Sequence, residues 1–174
     1  MSERSGTFLR RCASSGAAVL IVGALAGCAQ VRATSGGGGS KTPPPTATER
    51  RIIDAVNGYR AQHGLQALSI NSNLEDKARL WSAWMAGGGC GRGSNGNPQI
   101  CHSDLTSGIN PGWSLLEENV ASASPKTNIS GIIDGLQRSP AHSANMLNGR
   151  VTSLGVGVAY VGDAVYVAEE FMAS

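Results

Sequence analysis

Apolar positions in the second half of the chain follow first a helical and then a two-residue period. Ile52, Ile53, Val56 and Tyr59 or Arg60 recur at three- and four-residue steps, which predicts a helix starting at Glu49 behind a Thr48 cap and stopping at Gly64. Ser72-Asn73-Leu74-Glu75 has the spacing of a capping box and opens a second helix. It runs through Ala78, Trp81, Trp84 and Met85 to the glycines at 87–89. A third helix is expected from Ile129 to Arg138; Pro140 breaks it, and a short turn resumes from Ala141 to Leu147. Leu154 to Tyr160 and Val165 to Ala168 then alternate every two residues around Gly162-Asp163, the pattern of a β-hairpin. Helices first and antiparallel strands last favour α+β.

Ahead of this region the pattern is different. Arg4, Arg10 and Arg11 precede an apolar run from Cys12 to Ala26, which is the length of a signal-peptide core and shorter than a membrane span. It ends in Leu25-Ala26-Gly27-Cys28, which resembles a lipobox whose cysteine becomes the lipid-modified first residue of the mature chain. The segment SGGGGSKTPPPTAT, Ser35 to Thr48, has almost nothing apolar and reads as a flexible, then stiffer, stalk. The expected organisation is therefore a signal peptide at 1–27, a lipidated anchor and linker at 28–48, and one domain at 49–174. The chain is expected to be exported and held on a cell or outer membrane through Cys28.

Charge follows the same partition. The formal net of +2 includes three arginines and one glutamate of the signal peptide, so the chain from Cys28 onward is neutral, and from Glu49 onward nine basic and eleven acidic residues leave −2. Nothing there supports nucleic-acid binding. Of four cysteines, Cys12 lies in the signal segment and Cys28 takes the lipid, which leaves Cys90 and Cys101 as an even pair expected to form a disulfide outside the cytoplasm. The ten residues between them, GRGSNGNPQI, carry no core-forming pattern, so the bridge restrains a loop that cannot hold itself.

Several segments, in order, resemble the CAP superfamily, the cysteine-rich secretory protein, antigen 5 and pathogenesis-related 1 group, in its bacterial extracellular form. Ala55 to Ala86, AVNGYRAQHGLQALSINSNLEDKARLWSAWMA, is similar to the family's first two helices. His102-Ser103 matches its HS pair, and Glu117-Glu118-Asn119-Val120-Ala121 is similar to its GEN segment. Leu136-Gln137-Arg138-Ser139-Pro140-Ala141-His142 through Asn145-Met146-Leu147 is similar to its W-x-x-S-P-x-H-x-x-N-x-L block. Gly155-Val156-Gly157-Val158 matches its last hairpin. The resemblance implies a three-layer α-β-α sandwich with a central antiparallel sheet, and a cavity holding His102, His142 and Glu118. Glu117 stands at the usual Gly of GEN, Leu136 at the usual Trp, and Trp81 where many members have a further histidine. No motif position supplies the second acid that many members have.

Two imidazoles and a carboxylate suit a divalent metal such as zinc, but separations of sixteen and twenty-four residues carry no ligand-spacing signal, so the metal set His102, Glu118, His142 rests on the resemblance. The other reading is that His142 and Glu118 hydrogen-bond and brace the cavity wall. No catalytic set emerges. Ser103 adjoins His102, but neighbours in an extended segment point to opposite faces, and Ser94 lies in no nucleophile elbow. The leading expectation is a non-enzymatic envelope module binding a small apolar ligand or an envelope partner near His102, Glu118 and His142; the alternative is a metal-assisted peptide or ester hydrolase. Trp81 and Trp84 are read as core, with a ligand groove as the second option, and Trp113, in a Gly/Pro-rich loop, as a surface contact. His63 reads as a helix C-terminal residue, and Asn128-Ile129-Ser130 as a coincidental glycosylation sequence.

If Cys28 carries the anchor, intact-mass analysis of the membrane fraction should find a mature chain beginning at Cys28 with an added diacylglyceryl group. Cys28→Ser should abolish both the cleavage and the added mass.

Overall fold

The computed structural model describes residues 42–174; the signal-peptide and lipobox readings, Cys28 included, lie outside the described residues. The elements run α1 (Ala47–Gln62), β1 (Ser69–Ile70), α2 (Ser72–Ala86), β2 (Leu115–Ala123), α3 (Ile129–Arg138), α4 (Pro140–Met146), β3 (Ser153–Val161) and β4 (Ala164–Ala173). Among the described residues no helix is long and apolar enough to cross a membrane.

Helix α1 opens two residues ahead of the expected start, because the reciprocal cap is Thr46 with Glu49. The Thr46 hydroxyl accepts from Glu49 N at 3.3 Å, and the Glu49 carboxylate accepts from Thr46 N at 2.7 Å. Thr48 has Arg51 three residues on and cannot close such a pair. Helix α2 is capped by Asn71, not Ser72: Asn71 Oδ1 accepts from Asn73 N at 2.9 Å and Leu74 N at 3.3 Å. Helix α3 spans the expected residues, and Asn128 caps it by accepting from Gly131 N at 3.1 Å. Helix α4 begins at Pro140, where a missing N–H costs nothing. His63 caps the end of α1, and Gly64 follows at φ +73°.

The strands pair in the order β1-β3-β4-β2. The expected hairpin β3/β4 forms and turns at Gly162, whose φ is +55°. Strand β2 runs antiparallel along the far side of β4. The sheet is not wholly antiparallel, however. Two-residue β1 runs parallel to β3 through Ser69↔Ser153 and Ile70↔Leu154, so the sheet is mixed. Two residues are too few to show any alternation, which is why the sequence carries no sign of this edge.

Period-two alternation divides the sheet's faces. Val165, Val167 and Phe171 of β4 and Leu154 and Val156 of β3 join Ile52, Ile53 and Val56 of α1 and Ile129, Ile132 and Leu136 of α3 in the larger core. Tyr166, Ala168 and Val120 face the other way, onto Ala78 and Met85 of α2. The result is three layers: α1, α3 and α4 on one face, and α2 alone on the other. Helix α2 comes unusually close to β3, for a Cβ at Gly155 would collide with the backbone of Leu74 and Glu75, and one at Gly157 with that of Ala78 and Arg79.

The start of the described chain is laid along α2. Thr42 donates to Asp76 Oδ2 at 2.7 Å, and Arg79 donates to Pro43 O at 2.9 Å and Pro44 O at 3.4 Å. Arg79 also grips Glu49 with two parallel bonds of 2.9 Å each, the fork geometry that makes arginine-carboxylate pairs strong.

Gly157→Ala should destabilise the domain by about 1–3 kcal/mol, the usual cost of overpacking. Gly135→Ala, in α3 with open space around the new methyl, should stabilise by roughly 0.5–1 kcal/mol. Urea unfolding of both variants checks the pair.

Candidate functional site

The site is built on β2 and the long loop between α2 and β2. That loop has little core of its own and is pinned from outside. The disulfide Cys90–Cys101, with Cα atoms 5.8 Å apart, closes its first half. Trp81 Nε1 donates to Cys101 O at 2.9 Å, Tyr166 Oη to Pro98 O at 2.8 Å, and Lys77 Nζ to Leu105 O at 2.8 Å. Asn73 grips the far end, donating to Gly108 O and accepting from Asn110 N, both at 2.8 Å.

Glu118 supplies the central pin. It is buried on the α2 face of β2, and its Oε1 lies 2.7 Å from His102 Nδ1 and accepts from Ser103 N at 2.9 Å. With a carboxylate as acceptor, the imidazole proton on that side sits on Nδ1. The His102 side chain is 62% exposed, so its contact with Glu118 is open to water on one side and fixes the position of the loop.

His142 approaches from α4, on the other side of edge strand β2. Its carbonyl accepts from Asn119 Nδ2 at 3.2 Å, while its buried ring Nδ1 has no partner. Burial first, and then the proximity of His102, lowers its pKa below the ordinary histidine value. Asn145 ties α4 to the strand, donating to Glu118 O at 3.1 Å and Asn119 Oδ1 at 2.9 Å. Buried Arg60 closes the end of α4 by donating to Met146 O at 2.7 Å and Asn148 O at 2.9 Å. Thus His102 and Glu118 are in contact, and His142 is their electrostatic neighbour. Among the described residues no three His, Cys, Asp or Glu side chains gather to hold a metal ion. Ser103 Oγ is buried without a hydrogen-bond partner, which leaves it no base.

The second acid comes from a position the motifs do not mark. Glu170 of β4 is the register partner of Glu118, so both carboxyls project side by side onto the α2 face. Lys77 Nζ lies 3.2 Å from Glu170 Oε2. Burial, then repulsion from Glu118, pushes the Glu170 pKa up to about 8 against the pull of Lys77. Glu118 Oε2 and Glu170 Oε1 are buried without a hydrogen-bond partner. On the opposite face Glu169 accepts from Asn119 Nδ2 at 3.0 Å, and complete burial raises its pKa to about 7. The adjacent acids in Val167-Ala168-Glu169-Glu170-Phe171 interrupt an apolar strand, which is the signal that could have flagged them.

Beyond the pinned loop lies an apolar groove of about 540 Å³, walled on one side by Leu80, Trp81 and Trp84 of α2 and on the other by Ser103, Asp104 and Ser107. The core expectation holds in part for Trp81, which packs against the second core cluster, and fails for Trp84. Trp84 is 55% exposed and Trp81 half-buried, with near-parallel rings 6.4 Å apart. Trp84 packs its indole onto the backbone of Gly89, where any side chain would strike it.

A family model, that of the cysteine-rich secretory protein family, matches residues 53–172. The chain belongs to the CAP family. An extracellular protein containing a SCP domain from Bacillus anthracis aligns at TM-score 0.56 and 24% identity over 76% of this chain and 45% of its own. A cysteine-rich secretory protein from Staphylococcus aureus aligns at 0.55 and 18%, over 73% and 39%. This CAP chain therefore spans less than half the length of either. An outer surface protein of Borrelia burgdorferi aligns at 0.57 and 15%, over 75% of this chain and 96% of its own. These likenesses establish the CAP fold; no curated protein matches the sequence.

Glu170 and Glu169 keep their protons in the fold to higher pH than when unfolded, where a glutamate titrates near 4.5. The native state then binds more protons between pH about 4.5 and 8, so stability should fall as pH rises through that window and level off above it. Glu75, raised by burial, adds in the same sense. Glu170→Gln should flatten the slope and stabilise the protein at pH 8; urea midpoints at pH 5, 6, 7 and 8 measure it.

Proposed function

We propose that this chain is an exported, lipid-anchored CAP-domain protein of the cell envelope that acts as a binding module rather than an enzyme, taking a small apolar ligand or an apolar envelope partner. The observation that carries the reading is the use made of Glu118. Its Oε1 is spent on His102 Nδ1 and Ser103 N, and its other oxygen faces a second carboxyl. The carboxylate that would act as a base in a hydrolase is instead the pin that fixes one wall of an apolar groove. The opposite wall presents Leu80, Trp81 and Trp84, and grooves with apolar walls and few polar groups are the usual form of small-ligand sites. Export is supported by the signal pattern, by the disulfide Cys90–Cys101, and by similar folds described as extracellular or outer-surface proteins.

A dansyl-labelled fatty acid should bind the purified mature chain. Leu80→Asp with Trp84→Ala should weaken binding at least about tenfold, a loss of about 1.4 kcal/mol. Glu118→Gln should weaken it less, by loosening the loop wall. Cleavage of a peptide or ester library, lost on chelation and in His142→Ala, would replace this reading with the metal-assisted hydrolase.

A further inference from the structure

We infer that the partner of this groove is the membrane itself: the outer face of α2 docks on the lipid bilayer to which the chain is tethered. The inference rests on the reading of Cys28 as the anchor and of the groove as the binding surface.

Helix α2 is apolar on two sides. Leu74, Ala78 and Met85 point into the domain and are fully buried. Asp76, Leu80, Ala83, Trp84 and Gly87 recur at three- and four-residue steps along the opposite side and are exposed, with Leu80 74% and Trp84 55% accessible. A surface helix ordinarily carries polar residues there, and contiguous exposed apolar surface beside a groove marks an interaction site. The Trp84 indole is braced on Gly89, so its presentation is fixed. An amphipathic ring held half out of a protein suits the boundary between water and lipid, where tryptophan concentrates in membrane proteins.

The path of the chain selects the bilayer over other apolar partners. Thr42, the first described residue, is bonded to Asp76, and Asp76 lines the same groove. Pro43 and Pro44 are held to α2 by Arg79. Only residues 29–41 separate the anchor from that point, and a chain of that length reaches no more than about 50 Å even at full extension. The α2 face is thus the face on which the tether enters, and a short tether gives the bilayer a high effective concentration there. The groove's exposed charges are Asp76 and Asp104, since Lys77 is buried on Glu170. That rim favours zwitterionic over anionic lipid.

The test uses the mature lipidated chain in phosphatidylcholine vesicles with brominated acyl chains, which quench tryptophans that reach the hydrocarbon boundary. Quenching is expected, with Trp84→Phe removing more than half of it, Leu80→Asp reducing it, and Trp113→Phe leaving it nearly intact. Phosphatidylglycerol in place of phosphatidylcholine should lower it. A chain made from Ala29 onward, with neither signal segment nor lipid, should at high lipid concentration retain a weaker, Trp84-dependent signal, and this arm supports docking even if mass analysis finds no lipid on Cys28. No quenching, or equal losses in the Trp84 and Trp113 variants, would overturn the inference. If the dansyl fatty acid still bound in that case, the groove would remain a small-ligand site and only bilayer docking would fall; if it did not, the binding-module reading would fall too.

Discussion

The close seating of α2 against β3 is the constraint from which most of the site follows. Without side chains at Gly155 and Gly157, the helix backbone rests on the strand. That seating buries Lys77 far enough to meet Glu170 and brings Trp81 to the carbonyl of Cys101. It also leaves the loop beyond Cys101 between helix and sheet, where Glu118 can reach it from below. A helix standing off by the width of a methyl group would stretch the Lys77–Glu170 and Trp81–Cys101 contacts together, because both start from α2. The glycines therefore act at a distance from the groove they make possible.

Glu118 and Glu170 give the interior an unusual electrostatic character. Two carboxyls placed opposite each other on neighbouring strands cannot both ionise cheaply in a dry environment, and Lys77 supplies one compensating charge. The arrangement divides the tasks: one oxygen of Glu118 fixes the loop, and one oxygen of Glu170 holds the lysine. A buried network of this kind rigidifies when fully satisfied. It also occupies the groups that acid-base chemistry would need.

Much of the architecture was legible because local signals and packing agree. Helix α3, the β3/β4 hairpin and the cysteine pair follow directly from capping, alternation and cysteine accounting, and the resemblance brought His102 to Glu118. The failures have physical causes. Strand β2 reads Leu-Leu-Glu-Glu-Asn because it is buried on both faces and carries acids where alternation would place apolar groups. The pairing of Glu170 with Glu118 was not legible because the two lie on different strands, and only the register reveals that two acids fifty-two residues apart are neighbours. Trp84 was misplaced because Leu80, Trp81, Trp84 and Met85 put apolar residues on both the buried and the exposed sides of α2, leaving no clean stripe. Which side turned inward was decided by the glycines of β3.

The Arg79 junction carries a mechanical consequence. Arg79 holds Pro43, Pro44 and Glu49 at once, and Thr46 closes the first turn of α1 on that same glutamate. Tension applied at the start of the described chain is therefore transferred sideways into α2 before it can peel α1 from its first residue. The load path ends in the helix that forms the groove wall, so a pull on the chain at Thr42 and the shape of the groove are coupled through a single guanidinium.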